Sequence, residues 1–234
     1  MLMTFVTGSS SRAEKVLLPF RTAVSPIADQ SATLSSLFEV SHVGDENLET
    51  MPHRIHVQAA IVADIWSDTV MEVWKRWCVF TEREDCGQTA ILWEIDLRGW
   101  GKEGAVGQEE TAFHVRDPHY CVIVYGRYVP INYIIQTCNE ITDTDLWRPH
   151  PPTSNRLPAS DPHIAAFVSE TASYIRSANT LKTGRDLGVP LCWATGDERP
   201  EDVFGVNLER LRRLKGRYDP TGVWRKGFFL EPLF

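Results

Sequence analysis

Ile55, Val57, Ala59 and Ile61 alternate with Arg54, His56 and Gln58, and directly after them the apolar spacing changes to Ile65, Val70, Val73, Trp74, Trp77 and Phe80. A period of two that gives way to one of about 3.6 marks a strand running into an amphipathic helix. Thr89 to Leu97 and Tyr120 to Tyr128 read as two further strands, and Gly99, Gly101, Gly104 and Gly107 between them disfavour regular structure. A chain that switches period in this way folds as α+β, with a mainly antiparallel sheet covered on one face by helices.

The rest of the chain fits that frame. Met1 to Thr7 is a short apolar run before Gly8 and three serines, with Ala13, Val16, Leu17 and Phe20 at helical spacing after it, so it reads as strand, turn and helix. Residues 23 to 52 form a long connection with one short helix around Ser31 to Glu39. Val129 to Thr142 and Pro162 to Arg176 read as helices, Leu191 to Ala194 as a last strand, and Pro200 to Tyr218 as one amphipathic helix stopped by Asp219-Pro220. WRPHPPTSNRLPASDP, residues 147–162, carries five prolines and sets a boundary, which gives an α+β region over 1–150 and a helical segment over 151–234.

Composition narrows the partner. A net charge of -7 argues against binding a phosphate backbone, because such affinity rests on clustered Lys and Arg. The one basic cluster, Arg210, Arg212, Arg213, Lys215 and Arg217, reads as the solvated face of a helix. Cys78, Cys86, Cys121, Cys138 and Cys192 are odd in number and form no CxxC pair, which fits reduced thiols rather than a disulfide framework or a zinc site. His114, His119, His150 and His163 have no ligand spacing, so no metal is expected. With no apolar run approaching the roughly 18 residues of a membrane span, the expectation is a soluble, cytoplasmic protein. Trp66, Trp74 and Trp77, at helical spacing, read as core.

Asn207 to Leu230, NLERLRRLKGRYDPTGVWRKGFFL, resembles the closing helix and tail of berberine-bridge-type FAD-linked oxidases of the fungal kind. AILWEIDLRG, ETAFHVRDPHYCVIVYGRY and FVTGSSSRAEKVLLPF stand upstream in the order of that family's substrate lobe. The resemblance implies a sheet that roofs a substrate cavity, with a flavin held below it by an amino-terminal lobe. The pyrophosphate loop of that lobe, and the His and Cys that tether the flavin, have no counterpart in these 234 residues. Ala194 stands where the family's Y-x-N-Y-A-D segment places a flavin-touching Asn, and the family's general base falls near Val124, which cannot move a proton.

These departures lead to an expectation of no cofactor. Without a flavin no side chain accepts a hydride, but a cavity that folds a terpenoid or polyketide still brings reacting ends together, worth up to about 7–11 kcal/mol. The expected activity is therefore a cyclisation of the Diels–Alder or hetero-Diels–Alder type in natural-product biosynthesis. Arg54, His56, Gln58, Glu94, Tyr125 and Arg127 are the candidate catalytic residues, as polar side chains on otherwise apolar strands that converge on one face. Trp93 and Val124 are the candidate substrate contacts. Taken singly, His56 and Gln58 also read as structural, and Glu94 with Arg127 reads equally as a cross-strand ion pair. Two rival readings remain: a non-catalytic partner subunit of a flavin oxidase, and a fragment of an FAD-linked oxidoreductase. A homodimer is expected under the cyclisation and partner-subunit readings, since an uncovered apolar face marks an interface.

Overall fold

The computed structural model describes residues 6, 8–23, 32–42, 54–82, 88–94, 104–128, 161–196, 198–225 and 228–234. The chain divides into two compact units, Met1–Met51 and Pro52–Phe234. The first holds α1 (Ser10–Ala23) and α2 (Leu37–Ser41). Ser36 caps α2 by accepting from the Glu39 amide at 3.2 Å, while the Glu39 carboxylate accepts from the Ser35 amide at 2.6 Å. This reciprocal cap lets so short a helix form.

The second unit is built on a three-stranded antiparallel sheet in the order β1-β3-β2, from β1 (Arg54–Val62), β2 (Gln88–Glu94) and β3 (Tyr120–Tyr128). Between β1 and β2 runs α3 (Ser67–Thr81), and after β3 comes α4 (Asp161–Thr183). Ile164, Phe167, Val168, Thr171, Ala172, Ile175 and Asn179 of α4 are buried, a continuous stripe at helical spacing. The stripe packs with α3 on Ala60, Val62, Val122 and Val124, so both helices cover the same face of the sheet. Phe80 of α3 stacks on Phe167 of α4 with ring centroids 4.2 Å apart. The α+β fold expected from the sequence is the one observed.

Gly126 sets the height of α4 above the sheet, since an added Cβ there would overlap Ile164 and lie 3.1 Å from Val168 Cγ2. The helix outruns its expected end at Arg176, because Asn179 continues the buried stripe as a polar anchor. Its side chain accepts from the Ala63 amide at 2.9 Å and donates to the Arg185 carbonyl at 2.8 Å. Gly184, at φ 72, then ends the helix in the left-handed region.

Two expectations for the C-terminal region are corrected. Leu191–Trp193 is a 3-10 turn rather than a strand. Pro190 precedes it, and local bonds from the Trp193 amide to the Pro190 carbonyl (3.0 Å) and from Ala194 to Leu191 (3.1 Å) close it. The expected single helix is broken into α5 (Pro200–Phe204), a 3-10 turn at Gly205–Asn207, and α6 (Leu208–Tyr218). Gly205 has φ 49, outside any helical value, which interrupts the run.

The basic cluster on α6 is bonded rather than simply solvated. Arg210 donates to the Glu109 carbonyl, Arg212 to the Glu231 carbonyl at 3.1 Å, Arg213 pairs with Glu209 and Lys215 with Asp219. Of the three tryptophans expected in the core, Trp66 and Trp77 pack against it, and Trp77 donates to the Thr89 hydroxyl at 3.2 Å. Trp74 is 55 % exposed instead. The expected strand Met1 to Thr7, the helix Val129 to Thr142 and the boundary at 150–151 lie outside the described residues.

Candidate functional site

The pairing register fixes which candidate residues can meet. Directly opposite residues in an antiparallel pair share a face. One face carries, from β1 across β3 to β2, His56/Gly126/Thr89, Gln58/Val124/Ile91 and Ala60/Val122/Trp93. This is the side covered by α3 and α4. The other carries Val57/Tyr125/Ala90, Ala59/Ile123/Leu92 and Ile61/Cys121/Glu94.

The six proposed catalytic residues therefore do not converge. His56 and Gln58 sit on the helix-covered face, where Ser169 of α4 donates to the Gln58 side-chain oxygen at 3.4 Å. Glu94 and Tyr125 lie on the opposite face. Arg54 is opposite Tyr128 in the register and Arg127 opposite Ile55 and Gln88, and the side chains of both arginines are outside the described residues. The two expected substrate contacts are corrected as well. Val124 is 0 % exposed beneath α4, and Trp93 packs on the same core, so neither faces the side that carries Glu94 and Tyr125. The cause is parity: Val122 and Val124 must both meet α4, and this turns Tyr125 and Cys121 the other way.

The second face is partly closed. Val115 and Leu187 pack on Ile61, and the Ile61 amide donates to the Gly188 carbonyl at 3.1 Å. Toward β2 it is open, with Leu92 44 % exposed, Glu94 exposed, and Ala90 and Tyr125 half-buried. Tyr125 and the Glu94/Cys121 pair are separated by four residues of strand, about 13 Å at ~3.3 Å per residue. Between these polar ends lies an apolar strip centred on Leu92.

Cys121 is a site-adjacent residue that sequence reasoning missed, although it shares the parity of Tyr125 on the same strand. Its thiol is pushed up to about 12, first by burial and then by the nearby charges of Glu94 and Cys192. It stays protonated at neutral pH and serves as an S–H group, not a nucleophile. Among the described residues no group of His, Cys, Asp or Glu is arranged to hold a metal ion, and no helix is long and apolar enough to cross a membrane.

In berberine-bridge-type proteins a flavin would need a cradle for its phosphates and a surface over its rings. Among the described positive-φ glycines, Gly188 is filled by the Asp202 backbone and Gly205 by the His114 ring. Neither leaves room for phosphate. Gly184, at φ 72, by contrast has nothing within 4 Å of an added carbon.

The family described as Berberine and berberine like matches residues 178–226, which span the 3-10 turn, α5 and most of the C-terminal segment. Over those 49 of its 234 residues the chain is similar to that family. It is 51% identical over 83 residues to "FAD-linked oxidoreductase pgmH" of Aspergillus terreus (strain NIH 2624 / FGSC A1156), a stretch of 32% of this chain and 17% of that protein. A second protein of that name from Aspergillus terreus is 35% identical over 83 residues, with the same coverage.

Among solved structures, the fold of the chain is similar to Physcomitrella patens BBE-like 1 (TM-score 0.62, 13% identity) and to chitooligosaccharide oxidase (TM-score 0.58, 14% identity). A variant of berberine bridge enzyme gives a TM-score of 0.59 at 12% identity. Each covers 97% of this chain, which spans 43% of the first and 45% of the other two. The chain therefore spans less than half the length of the proteins whose fold it shares.

Proposed function

We propose that the open, β2 side of the second sheet face binds a flat, largely apolar natural product of the terpenoid or polyketide class and directs its ring closure without a cofactor. The observation that carries this reading is the placement of Tyr125 and Glu94 at the two ends of an apolar strip of about 13 Å, the span of a tri- or tetracyclic skeleton. Leu92 and Ala90 hold the body of the ligand. The Tyr125 phenol donates a hydrogen bond to a carbonyl at one end, and the exposed Glu94 carboxylate takes a proton at the other. Conjugation through the ligand joins the two events: proton loss raises electron density, the phenol stabilises the oxyanion, and a carbon–carbon bond closes within the same molecule. The proton returns to the product, so no oxidant is consumed. The small molecule is the partner in this reading, with no role for nucleic acid or membrane.

A second reading, FAD-linked oxidoreduction with the same face as the substrate wall, is favoured by the 51% identity to an FAD-linked oxidoreductase over 83 residues. When bound, the flavin would supply hydride acceptance. One feature of this chain weighs toward the first reading: Ala194 stands where the family resemblance places Asn. An absorbance spectrum between about 350 and 500 nm separates them, taken after incubation with FAD and desalting. The expected result is a colourless protein. A retained flavin band at one equivalent overturns cofactor-free ring closure in favour of oxidoreduction.

A further inference from the structure

We propose that His114 is an acid-sensitive latch that holds the C-terminal berberine-like segment against the run of chain leading into β3. Three hydrogen bonds join these two stretches, and the His114 ring packs on Gly205 beside them. The Asn207 side chain donates to the Gln108 carbonyl at 2.8 Å and to the Thr111 carbonyl at 3.1 Å. Arg210 donates to the Glu109 carbonyl, and Gln108 donates back to the His114 carbonyl at 3.1 Å. The imidazole itself lies flat against Gly205, where an added Cβ would come within 2.5 Å of His114 Cδ2 and 2.8 Å of Nε2. Only glycine, here at φ 49, lets the ring in.

The neutral ring suits this site and the charged ring does not. The ring packs on Gly205, and its Nδ1 is buried with no partner among the described residues. Protonation puts a hydrogen on Nδ1 where nothing accepts it, which is unfavourable for a buried donor. Burial is the largest influence on the group and lowers its pKa from the usual 6.5; the Val203 carbonyl and the Asp186 charge oppose that, and His119 adds to it. Arg116, two residues further along, has its Nε buried with no partner among the described residues, and Arg210 donates to the Glu109 carbonyl on the same run of chain. A lowered folded-state pKa means that the contact contributes stability above the ordinary histidine pKa. That contribution is lost as pH falls from about 6.5 through the folded value. Acid therefore releases Gly205–Asn207 and the start of α6 from residues 108–114 before it unfolds the sheet.

Hydrogen exchange on the full chain at pH 7.5 and 5.5, corrected for the intrinsic pH dependence of exchange, tests the latch. In the wild type, amides of residues 203–212 are expected to open roughly tenfold more at pH 5.5, with the β1 and β3 amides unchanged. In His114→Gln that ratio should fall to near one, whereas His119→Gln should keep it. An unchanged ratio in the wild type, or an equal rise in His114→Gln, overturns the proposal. Should His114→Gln fail to fold, NMR titration of the wild-type imidazoles decides: the latch requires the rise in exchange to level off where His114 titrates, and a rise that levels off with another histidine refutes it.

Discussion

Gly188→Val is expected to lower unfolding stability by about 3–5 kcal/mol, combining a β-branched residue in the left-handed region with overpacking against backbone. Gly188 sits at φ 80, and a Cβ there would overlap the Asp202 carbonyl, which has no freedom to move aside. That carbonyl accepts from the Val189 amide at 2.8 Å, and the Gly188 carbonyl accepts from Ile61. The substitution thus pushes α5 and β1 apart at the point where the C-terminal segment meets the sheet. Gly184→Ala provides the contrast: φ is 72 but nothing lies within 4 Å of the added carbon. It should cost only the backbone strain, about 1 kcal/mol. Urea denaturation midpoints on both variants, with unchanged slopes, would establish the difference.

Asn179→Leu is the second large effect, at about 2–4 kcal/mol. Leucine matches the apolar stripe of α4 and would look harmless by periodicity. Asn179 is 1 % exposed, however, and satisfies the Ala63 amide and the Arg185 carbonyl together. The Arg185 carbonyl keeps a bond from the Thr183 hydroxyl at 3.0 Å, so the main loss falls on the Ala63 N–H, left buried and unpaired. Thermal and urea unfolding of the variant check this. A stability equal to wild type would mean that Ala63 finds another acceptor.

The sheet was legible because its strands obey a period of two over long runs: Tyr120–Tyr128 was readable to the residue and Arg54–Val62 nearly so. The helices over it were legible from their stripes. What alternation alone does not reveal is which parity meets the helices. His56 and Gln58 share a face with Ala60 and Val62, which lie under α4, so polar residues that look like a reactive group are instead the rim of the core. Val124 was misplaced for the same reason, one residue from Tyr125. The break at Gly205 was hidden because it depends on the distant His114 ring, whereas the turn at Leu191–Trp193 is local and follows Pro190, a signal that the apolar run obscured. Cys121 became visible only when the register set it opposite Glu94.

Ligand is expected on the Tyr125 side of the sheet and not beneath α4. Methyl-labelled protein titrated with 1,4-naphthoquinone and 1-naphthol, as planar probes without and with a hydroxyl, tests it most directly. The Leu92 methyls are expected to shift with saturation, more strongly for the hydroxylated probe, while Ile91, Val122 and Val124 stay in place. Shifts at Ile91 and Val124, or none at Leu92 with either probe, would contradict it.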